Sequence, residues 1–459
     1  MKIKSISKQI LADLTTPVAL FLKLRDHFSE ILLLESSDYS SKEDSLSFIC
    51  IDSLSSIRLE KDQLWIDDKI SESTNIVNDL GAFIDKFDIS GNEESKKFNG
   101  IFGFSSYDLI EKFETIRFKT DHSHNSIPSM RYDFYRYLFV FDHFYNQLYL
   151  VENIPEGSSS KIQEVLQFVY ILDYSSFPFS VSKEEKSNMS DAEFLGMVQK
   201  AKEHCQRGDV FQIVLSRQYQ QEFQGDEFNV YRHLRSVNPS PYLYYFDYGS
   251  YKIFGSSPEA QIKVEGNLAE IHPIAGTFLR TGDFAEDQEA AERLTADPKE
   301  SAEHVMLVDL ARNDLSKHSS NVKVEYFKQV QYFSHVIHLV SKVTGNLTDP
   351  NMSLQVYADT FPAGTLSGAP KYKAMELIDK YEPHRRSFYG GAIGMFKMNG
   401  DVNHAIIIRS FLSRTNTLFY QAGAGIVIGS DPQSELQEVK NKLAALKTAI
   451  VNAKNSHNE

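Results

Sequence analysis

Two Glu-x-x-Glu pairs, Glu300/Glu303 and Glu435/Glu438, stand in the last third of this chain, each just after an Asp-Pro step, Asp297-Pro298 and Asp431-Pro432. Asp at an N-cap with Pro at the first helical position predicts a helix start at both places. Mg²⁺ takes oxygen ligands only and is commonly held by one or two carboxylates, with water and substrate filling the other positions. Acids in a first turn also favour the helix dipole with no ligand at all, and either pair alone fits both readings. Between the pairs lie the turn-rich segment P-A-G-T-L-S-G-A-P-K (Pro362–Lys371) and the run Gly423–Gly425. Glycine there lets backbone approach an anion closely. Carboxylates from two distant helices beside such backbone point to an enzyme for a negatively charged small molecule.

The elements that must position these groups are partly legible. The last helix is predicted from about Pro432 to Ala453. At roughly 100° per residue, Leu436, Val439, Leu443, Leu446 and Ile450 form one apolar stripe, with Glu435, Glu438 and Lys442 beside it at the margin of a core. A solvated charged face is the competing reading of the second stripe. Asn399-Gly400 reads as a two-residue hairpin turn, which sets position 389 opposite 410. A second turn near Arg414–Thr417 sets Arg409 opposite about 422–424, so Tyr389, Arg409 and Gly423–Gly425 become neighbours on three adjacent strands. A slip of one residue would reverse the faces. Ser190-Asp-Ala-Glu193 is a capping box opening a helix to about Arg207, and Val210–Tyr219 reads as a strand. Residues 90–98 and 154–161 read as surface loops.

The chain has 459 residues, 42% hydrophobic and 24% charged, as ordinary soluble globular proteins have. Residues 173–189, rich in Ser, Lys and Glu, divide an N-terminal region (1–172) from a region carrying nearly every chemical motif (190–459). A net charge of −14 argues against a nucleic-acid footprint and requires local positive groups for an anionic substrate. Cys50 and Cys205 are the only cysteines, without disulfide or metal spacing. No stretch approaches ~18 apolar residues and the N-terminus lacks a long apolar core, so no membrane and a cytoplasmic location are expected. No G-x-x-x-x-G-K-[ST] loop is present, which disfavours a nucleotide enzyme.

The second half resembles the chorismate-utilising enzymes, and among them the anthranilate synthase component I family. The resemblance rests on F-Q-I-V-L-S-R (Phe211–Arg217), N-P-S-P-Y (Asn238–Tyr242), G-S-S-P-E (Gly255–Glu259) and H-P-I-A-G-T (His272–Thr277). It continues through Lys299–Asp314, S-H-V-I-H-L-V-S (Ser334–Ser341), G-T-L-S-G-A-P-K (Gly364–Lys371), Gly423–Gly425 and the final helix. L-L-L-E-S (Leu32–Ser36) adds a match in the N-terminal half. It implies a large α+β fold, antiparallel sheets packed together with helices outside, the N-terminal half packed intimately on the second.

The implied reaction adds ammonia to C2 of chorismate with loss of the C4 hydroxyl, then eliminates pyruvate to give anthranilate. By resemblance, Glu303 and Glu438 ligate Mg²⁺ directly, and Glu300 and Glu435 hold its waters. Arg409, Tyr389 and backbone N–H groups of Gly423, Ala424 and Gly425 receive the other carboxylate, and Gly276, Thr277, Thr365 and Lys442 complete the pocket. Glu259 is the expected general acid, its pKa raised by desolvation. His338 is the expected base, since an imidazole near pKa 6.5 takes a proton at neutral pH; the motif selects it over His335. Thr365 is grouped with these catalytic residues.

Ala275 stands where some aminodeoxychorismate synthases carry a nucleophilic lysine, and Gln212 where isochorismate and salicylate synthases carry a lysine thought to activate water. With neither lysine, free ammonia is the natural nucleophile. Aminodeoxychorismate synthase component I is the alternative, and a non-catalytic amino-acid sensor a second. Neither cysteine has a G-x-C-x-G setting, so ammonia from glutamine requires a separate amidotransferase subunit. The resemblance also implies feedback inhibition by L-tryptophan at Glu35, Ser36, Pro241, Tyr242 and Leu243, although L-L-L-E-S could equally end a buried strand and N-P-S-P-Y form a turn.

Overall fold

A computed structural model describes residues 1–36, 45–72, 75–119, 127–332 and 336–455, with the side chains of Thr277 and Leu279 left aside. His335 falls outside these residues.

Side chains alternate faces along a strand, and here both faces of the central strands are apolar. In strand Ile31–Ser36, Ile31 and Leu33 join one core while Leu32 joins another. Strand Tyr242–Asp247 divides likewise, Tyr245 to the first core and Tyr244 and Phe246 to the second. Strands Gly100–Ser105 and Ala392–Lys397 send Phe102, Phe104, Ile393 and Met395 into that second core, and Ile101 and Phe396 into a third. The second core is thus the interior of a sandwich. The other two cores are roofed by helices: Pro17–Leu24, Phe228–Val237 and Pro432–Asn455 on one side, Ile76–Asp85, Pro298–Ser316 and Ser353–Thr360 on the other. The result is a helix–sheet–sheet–helix α+β protein.

All three cores draw on residues from both sides of the 173–189 segment. Main-chain pairing also crosses it. Strand 31–36 lies antiparallel to 242–247 (Leu34 opposite Tyr244), and 100–105 antiparallel to 392–397 (Gly103 opposite Gly394). The dividing segment is itself held on the sheet, Phe179–Val181 and Lys186–Ser187 pairing with strand Gln212–Gly225.

Helix Asp191–Arg207 has the Ser190/Glu193 capping box and ends at left-handed Gly208. The last helix, Pro432–Asn455, buries Leu436, Val439, Leu443, Leu446 and Ile450, each worth roughly 1.5–3 kcal/mol. The expected loop at 90–98 is instead the end of strand Asp88–Gly91 and a helix, Glu93–Phe98. The Asn92 side chain accepts the Ser95 N–H there, a cap that a count of polar residues overlooks.

One ion pair ties the layers together. After helix Lys371–Tyr381, the buried Arg386 guanidinium donates to the Val214 carbonyl (2.7 Å), the Leu366 carbonyl and both Glu382 oxygens (2.6 and 3.0 Å). Glu382 Oε1 also accepts from Ser216 N (2.8 Å) and Ser216 Oγ (2.6 Å). Removing one partner of such a pair leaves a buried charge uncompensated, at about 3–5 kcal/mol. Glu382→Gln is therefore expected to lower the unfolding free energy in urea by that amount; a loss under about 1 kcal/mol would show that the pair is not a main tie of the fold.

Candidate active site

Both acid-bearing helices begin as their sequence dictates. Asp297 Oδ1 accepts from Lys299 N and Glu300 N, and Asp431 Oδ2 accepts from Ser434 N. Dipole compensation does not exhaust their role, because Glu435 is 0% exposed. Lys299 Nζ reaches from the first helix to Glu435 Oε1 on the second (2.9 Å) and so draws the two acid pairs together. Glu303 Oε1 accepts from Gln212 Nε2 at 2.6 Å, and Glu438 Oε1 lies 2.6 Å from Lys442 Nζ.

Burial pushes the Glu300 carboxyl up to about 7, with the neighbouring Glu303 and Glu438 charges adding to it. Burial raises Glu303 as well. At Glu438 burial is outweighed by Lys442, which holds the carboxyl below its usual range. Glu435 Oε2 is buried without a hydrogen-bond partner. Crowded carboxylates and an unpartnered carboxylate oxygen are a donor set suited to a hard cation. Among the described residues no three His, Cys, Asp or Glu side chains form a ready-made metal cluster. Mg²⁺ does not require one, since one or two carboxylates with water and substrate suffice.

The opposite wall is cationic. Lys442 Nζ donates to the Gly423 carbonyl (3.0 Å), and Arg409 donates to the Lys442 carbonyl (3.0 Å). A Cβ on Gly423 would stand 3.2 Å from the Tyr389 hydroxyl, and one on Gly425 would stand 2.2 Å from Gln212 Nε2 and 3.0 Å from Glu303 Oε1. Tyr389, Arg409 and the glycine run are thus neighbours, but not by the expected register. Lys397 pairs with Asp401 around a three-residue turn, so Ala392 faces Ile406 and the register differs by one residue from a two-residue hairpin at Asn399-Gly400. The three are not on consecutive strands either: the chain leaves one hairpin at Ile406 and joins another at Ser410, crossing through left-handed Arg409 (φ 51). The second turn, Thr415-Asn416, fits expectation, with Arg414 opposite Thr417.

Glu259 and His338 come from separate strand regions. Burial pushes the Glu259 carboxyl up to about 8, while the Thr365 hydroxyl, donating to Oε1 at 3.2 Å, and the Lys442 charge act the other way. His338 Nδ1 lies 2.8 Å from the Gly276 carbonyl, which can only accept, so Nδ1 carries the proton and Nε2 the lone pair. Burial lowers the His338 pKa, and the nearby Arg409 charge adds to that, which keeps the ring neutral, with a lone pair to accept a proton. Gly276 sits at φ 69 in a bulge between Ala275 and Thr277. A bulge re-aims side chains, and a Cβ there would stand 3.2 Å from Glu300 Oε2.

Several contributors carried no sequence signal of their own. Lys299 sits inside a motif that pointed only at its acids. His304 Nε2 lies 2.6 Å from Ser341 Oγ and so joins the acid-bearing helix to strand Val336–Leu347, which carries His338. Arg386 stacks on Tyr389 with its guanidinium carbon 5.6 Å from the ring centre.

A separate pocket lies between the paired strands 31–36 and 242–247 and the facing strands Ala392–Lys397 and Val402–Ile406, lined by Leu34, Phe48, Pro241, Tyr242, Met395 and Asn403, with Ser36 opposite Tyr242 and Glu35 opposite Leu243. The buried Glu35 carboxylate accepts from Tyr231 (2.6 Å) and pairs with Arg235 (3.0 Å). Asn403 Oδ1 is buried without a hydrogen-bond partner.

A family profile described as chorismate binding enzyme matches residues 30–448. The chain is 37% identical to anthranilate synthase component 1 of Aquifex aeolicus, across 98% of this chain and 95% of that protein. It is 35% identical to the protein of that name from Lactococcus lactis, across 96% and 98%. Among solved structures it resembles anthranilate synthase component I from Streptococcus pneumoniae, with TM-score 0.79 and 31% identity over 96% of this chain and 99% of that one. It shares its fold with the menaquinone-specific isochorismate synthase of Escherichia coli, at TM-score 0.74 and 19% identity over 98% and 94%.

At pH 7 the Glu259 carboxyl is expected to be mainly protonated, its charged form appearing as pH rises through about 8. Infrared difference spectra against Glu259→Gln should show a protonated carboxyl band that fades near that pH. Thr365→Val removes a hydrogen bond favouring the charged form, so the transition should move to higher pH. A carboxylate already ionised at pH 6 would contradict the assignment.

Proposed function

The chain belongs to the chorismate-binding enzyme family, and from that premise we propose that it makes anthranilate and pyruvate from chorismate and ammonia. The observation that carries the choice of nucleophile is at positions 212 and 275. Gln212 is an amide bound to Glu303, with no basicity to activate water, and Ala275 has no nucleophile. Neither position offers an attacking group, which favours ammonia arriving free. Relatives named anthranilate synthase component 1 favour this reading over aminodeoxychorismate synthesis, and the intact acid, base and carboxylates oppose a non-catalytic sensor.

Arg409 and the Tyr389 hydroxyl receive one chorismate carboxylate, with backbone of Gly423–Gly425 beside them. Glu303 and Glu438 would hold Mg²⁺ directly and Glu300 and Glu435 through water, supplying Lewis-acid neutralisation of the ring carboxylate. In amination the C2–N bond forms as the C4–O bond breaks, and the Glu259 proton leaves with the hydroxyl as water. In elimination His338 Nε2 takes the C2 proton, the bond from C3 to the enolpyruvyl oxygen breaks, and the ring becomes aromatic. A component of this kind implies a second one supplying ammonia, which we assign to a separate glutamine amidotransferase subunit. Among the described residues no helix is long and apolar enough to cross a membrane; we infer a cytoplasmic enzyme of tryptophan biosynthesis.

Purified chain with chorismate, Mg²⁺ and ammonium should produce anthranilate fluorescence. Glu303→Gln and Glu438→Gln should each lose at least about a hundredfold in turnover, since Lewis-acid stabilisation is worth several kcal/mol. Near-normal rates at saturating Mg²⁺ in both folded variants would return these acids to a helix-dipole role.

We propose the second pocket as an L-tryptophan site. Its apolar walls suit an indole, with Pro241, Tyr242 and Leu243 on one side. Because Glu35 is already neutralised by Arg235, the ammonium group falls to the Ser36 end of the strand and to Asn403 Oδ1. A route to the catalytic groups exists: Ala405, in the pocket wall, pairs with Ala260, Ile406 N donates to the Glu259 carbonyl (3.0 Å), and Gly390 N donates to the Ile407 carbonyl (2.9 Å). A tenfold loss of apparent chorismate affinity needs about 1.4 kcal/mol of coupling. Ser36→Phe should abolish inhibition by tryptophan while leaving uninhibited turnover intact; wild-type kinetics unchanged across a wide tryptophan titration, with no heat of binding, would remove this site.

A further inference from the structure

Glu259 has a second neighbour besides the reaction cleft. A cavity of ≈ 30 Å³ adjoins it, lined also by Gln261, Pro273, Leu310, Asp314 and Thr360, with room for about two waters. Gln261 is 2% exposed, and its Nε2 donates to Thr360 Oγ1 at 2.9 Å. The Thr360 hydroxyl proton is itself directed to the Val356 carbonyl (2.9 Å), so Thr360 can only accept from Gln261. That fixes the amide orientation and leaves Gln261 Oε1, which is buried and without a partner, to the cavity that the residue lines. An unpaired buried oxygen costs about 1–3 kcal/mol, and a cavity of this size meets that cost with water where Glu259, Gln261, Asp314 and Thr360 offer polar partners on otherwise apolar walls.

We propose that this cavity binds one or two ordered waters that return a proton to Glu259, with Gln261 as their positioning residue. The inference rests on the reaction assigned above and deepens it. After C4–O cleavage Glu259 is a carboxylate in a pocket that disfavours its charge. A water donating one O–H to Gln261 Oε1 can break its other O–H bond towards the Glu259 oxygen and take a replacement proton from solvent. The ammonium formed at C2 releases one proton to solvent in the same turnover, so the amination consumes chorismate and ammonia, yields the aminated product and water, and leaves Glu259 protonated. The cavity's charged wall is Asp314, held by Lys371 at 2.7 Å, and Lys371 also donates to the Thr360 carbonyl at 3.1 Å.

The two half-reactions separate this role from a structural one, because eliminating pyruvate from the aminated intermediate does not use the Glu259 proton. Gln261→Leu should reduce kcat for chorismate consumption about tenfold, less than the ~10²–10⁴ of losing the acid itself. KM for chorismate and for ammonium should be unchanged, and the solvent deuterium isotope effect should increase. Conversion of supplied aminated intermediate to anthranilate should keep its wild-type rate. Equal losses in both half-reactions, or undiminished chorismate turnover, would overturn the proposal. A defect that vanishes at saturating ammonium would overturn it in favour of ammonia passing through the cavity. Should Gln261→Leu not fold, a high-resolution crystal structure of the wild-type chain decides: ordered water between Gln261 Oε1 and Glu259 supports the site, and a dry cavity overturns it. A wild-type chain that makes no anthranilate from chorismate would refute the underlying reaction, a result distinct from each of these.

Discussion

The Arg386 guanidinium is the point from which most of the cleft is hung. Planar, always charged and buried, it must satisfy its N–H groups inside the protein, and its two carbonyl acceptors belong to different parts of the site. The Leu366 carbonyl fixes the short helix Gly364–Ser367, whose Thr365 holds Glu259. The Val214 carbonyl fixes the strand that pairs with Gly425. The ring of Tyr389 lies against one side, and that of Tyr107, from the N-terminal half, is 4.9 Å from the guanidinium carbon. Glu382 makes this arrangement tolerable by supplying the compensating charge. Through one ion pair, acid, anion wall and both halves of the chain acquire a common reference.

Charge in the cleft follows a second constraint. The protein carries a net −14, and two pairs of carboxylates flank the candidate metal region, yet the proposed substrate is a dianion. The local answer is interleaving. Lys299 and Lys442 each neutralise one carboxylate, and Arg409, bound to the Lys442 carbonyl, adds a second positive charge beside Lys442. A bound divalent cation would supply the rest. The same carboxylates that repel an anion in the free protein are the groups that would make its ring carboxylate bindable.

The sandwich explains how distant motifs meet. Its central strands are apolar on both faces, so neither half can bury its sheet alone, and pairing of 31–36 with 242–247 and of 100–105 with 392–397 makes the two halves one body. The pocket proposed for tryptophan lies on that seam. Its wall strands continue directly into the backbone beside Glu259 and Tyr389, so strain there would not need a long path to reach the proposed acid and anion wall.

What the sequence determined by itself is local and periodic. Asp297-Pro298, Asp431-Pro432 and Ser190…Glu193 specify helix starts because capping is satisfied within a few residues, and the 436–450 stripe specifies a buried face because helical period needs no partner to be counted. The ordered motifs identified the family and the residues worth watching. Tertiary structure decided the rest. The one-residue difference at 397–401 and the crossing at Arg409 depend on how two hairpins dock, which turn composition does not encode. The helix capped by Asn92 is not legible in the sequence because one cap among polar residues is a weak signal. Raised carboxyls at Glu259 and Glu300, the His338 tautomer, the Lys299–Glu435 and His304–Ser341 ties and the unpartnered Gln261 oxygen are all contacts between residues far apart in the chain. Desolvation and hydrogen bonding act through space, and only the folded chain sets those distances.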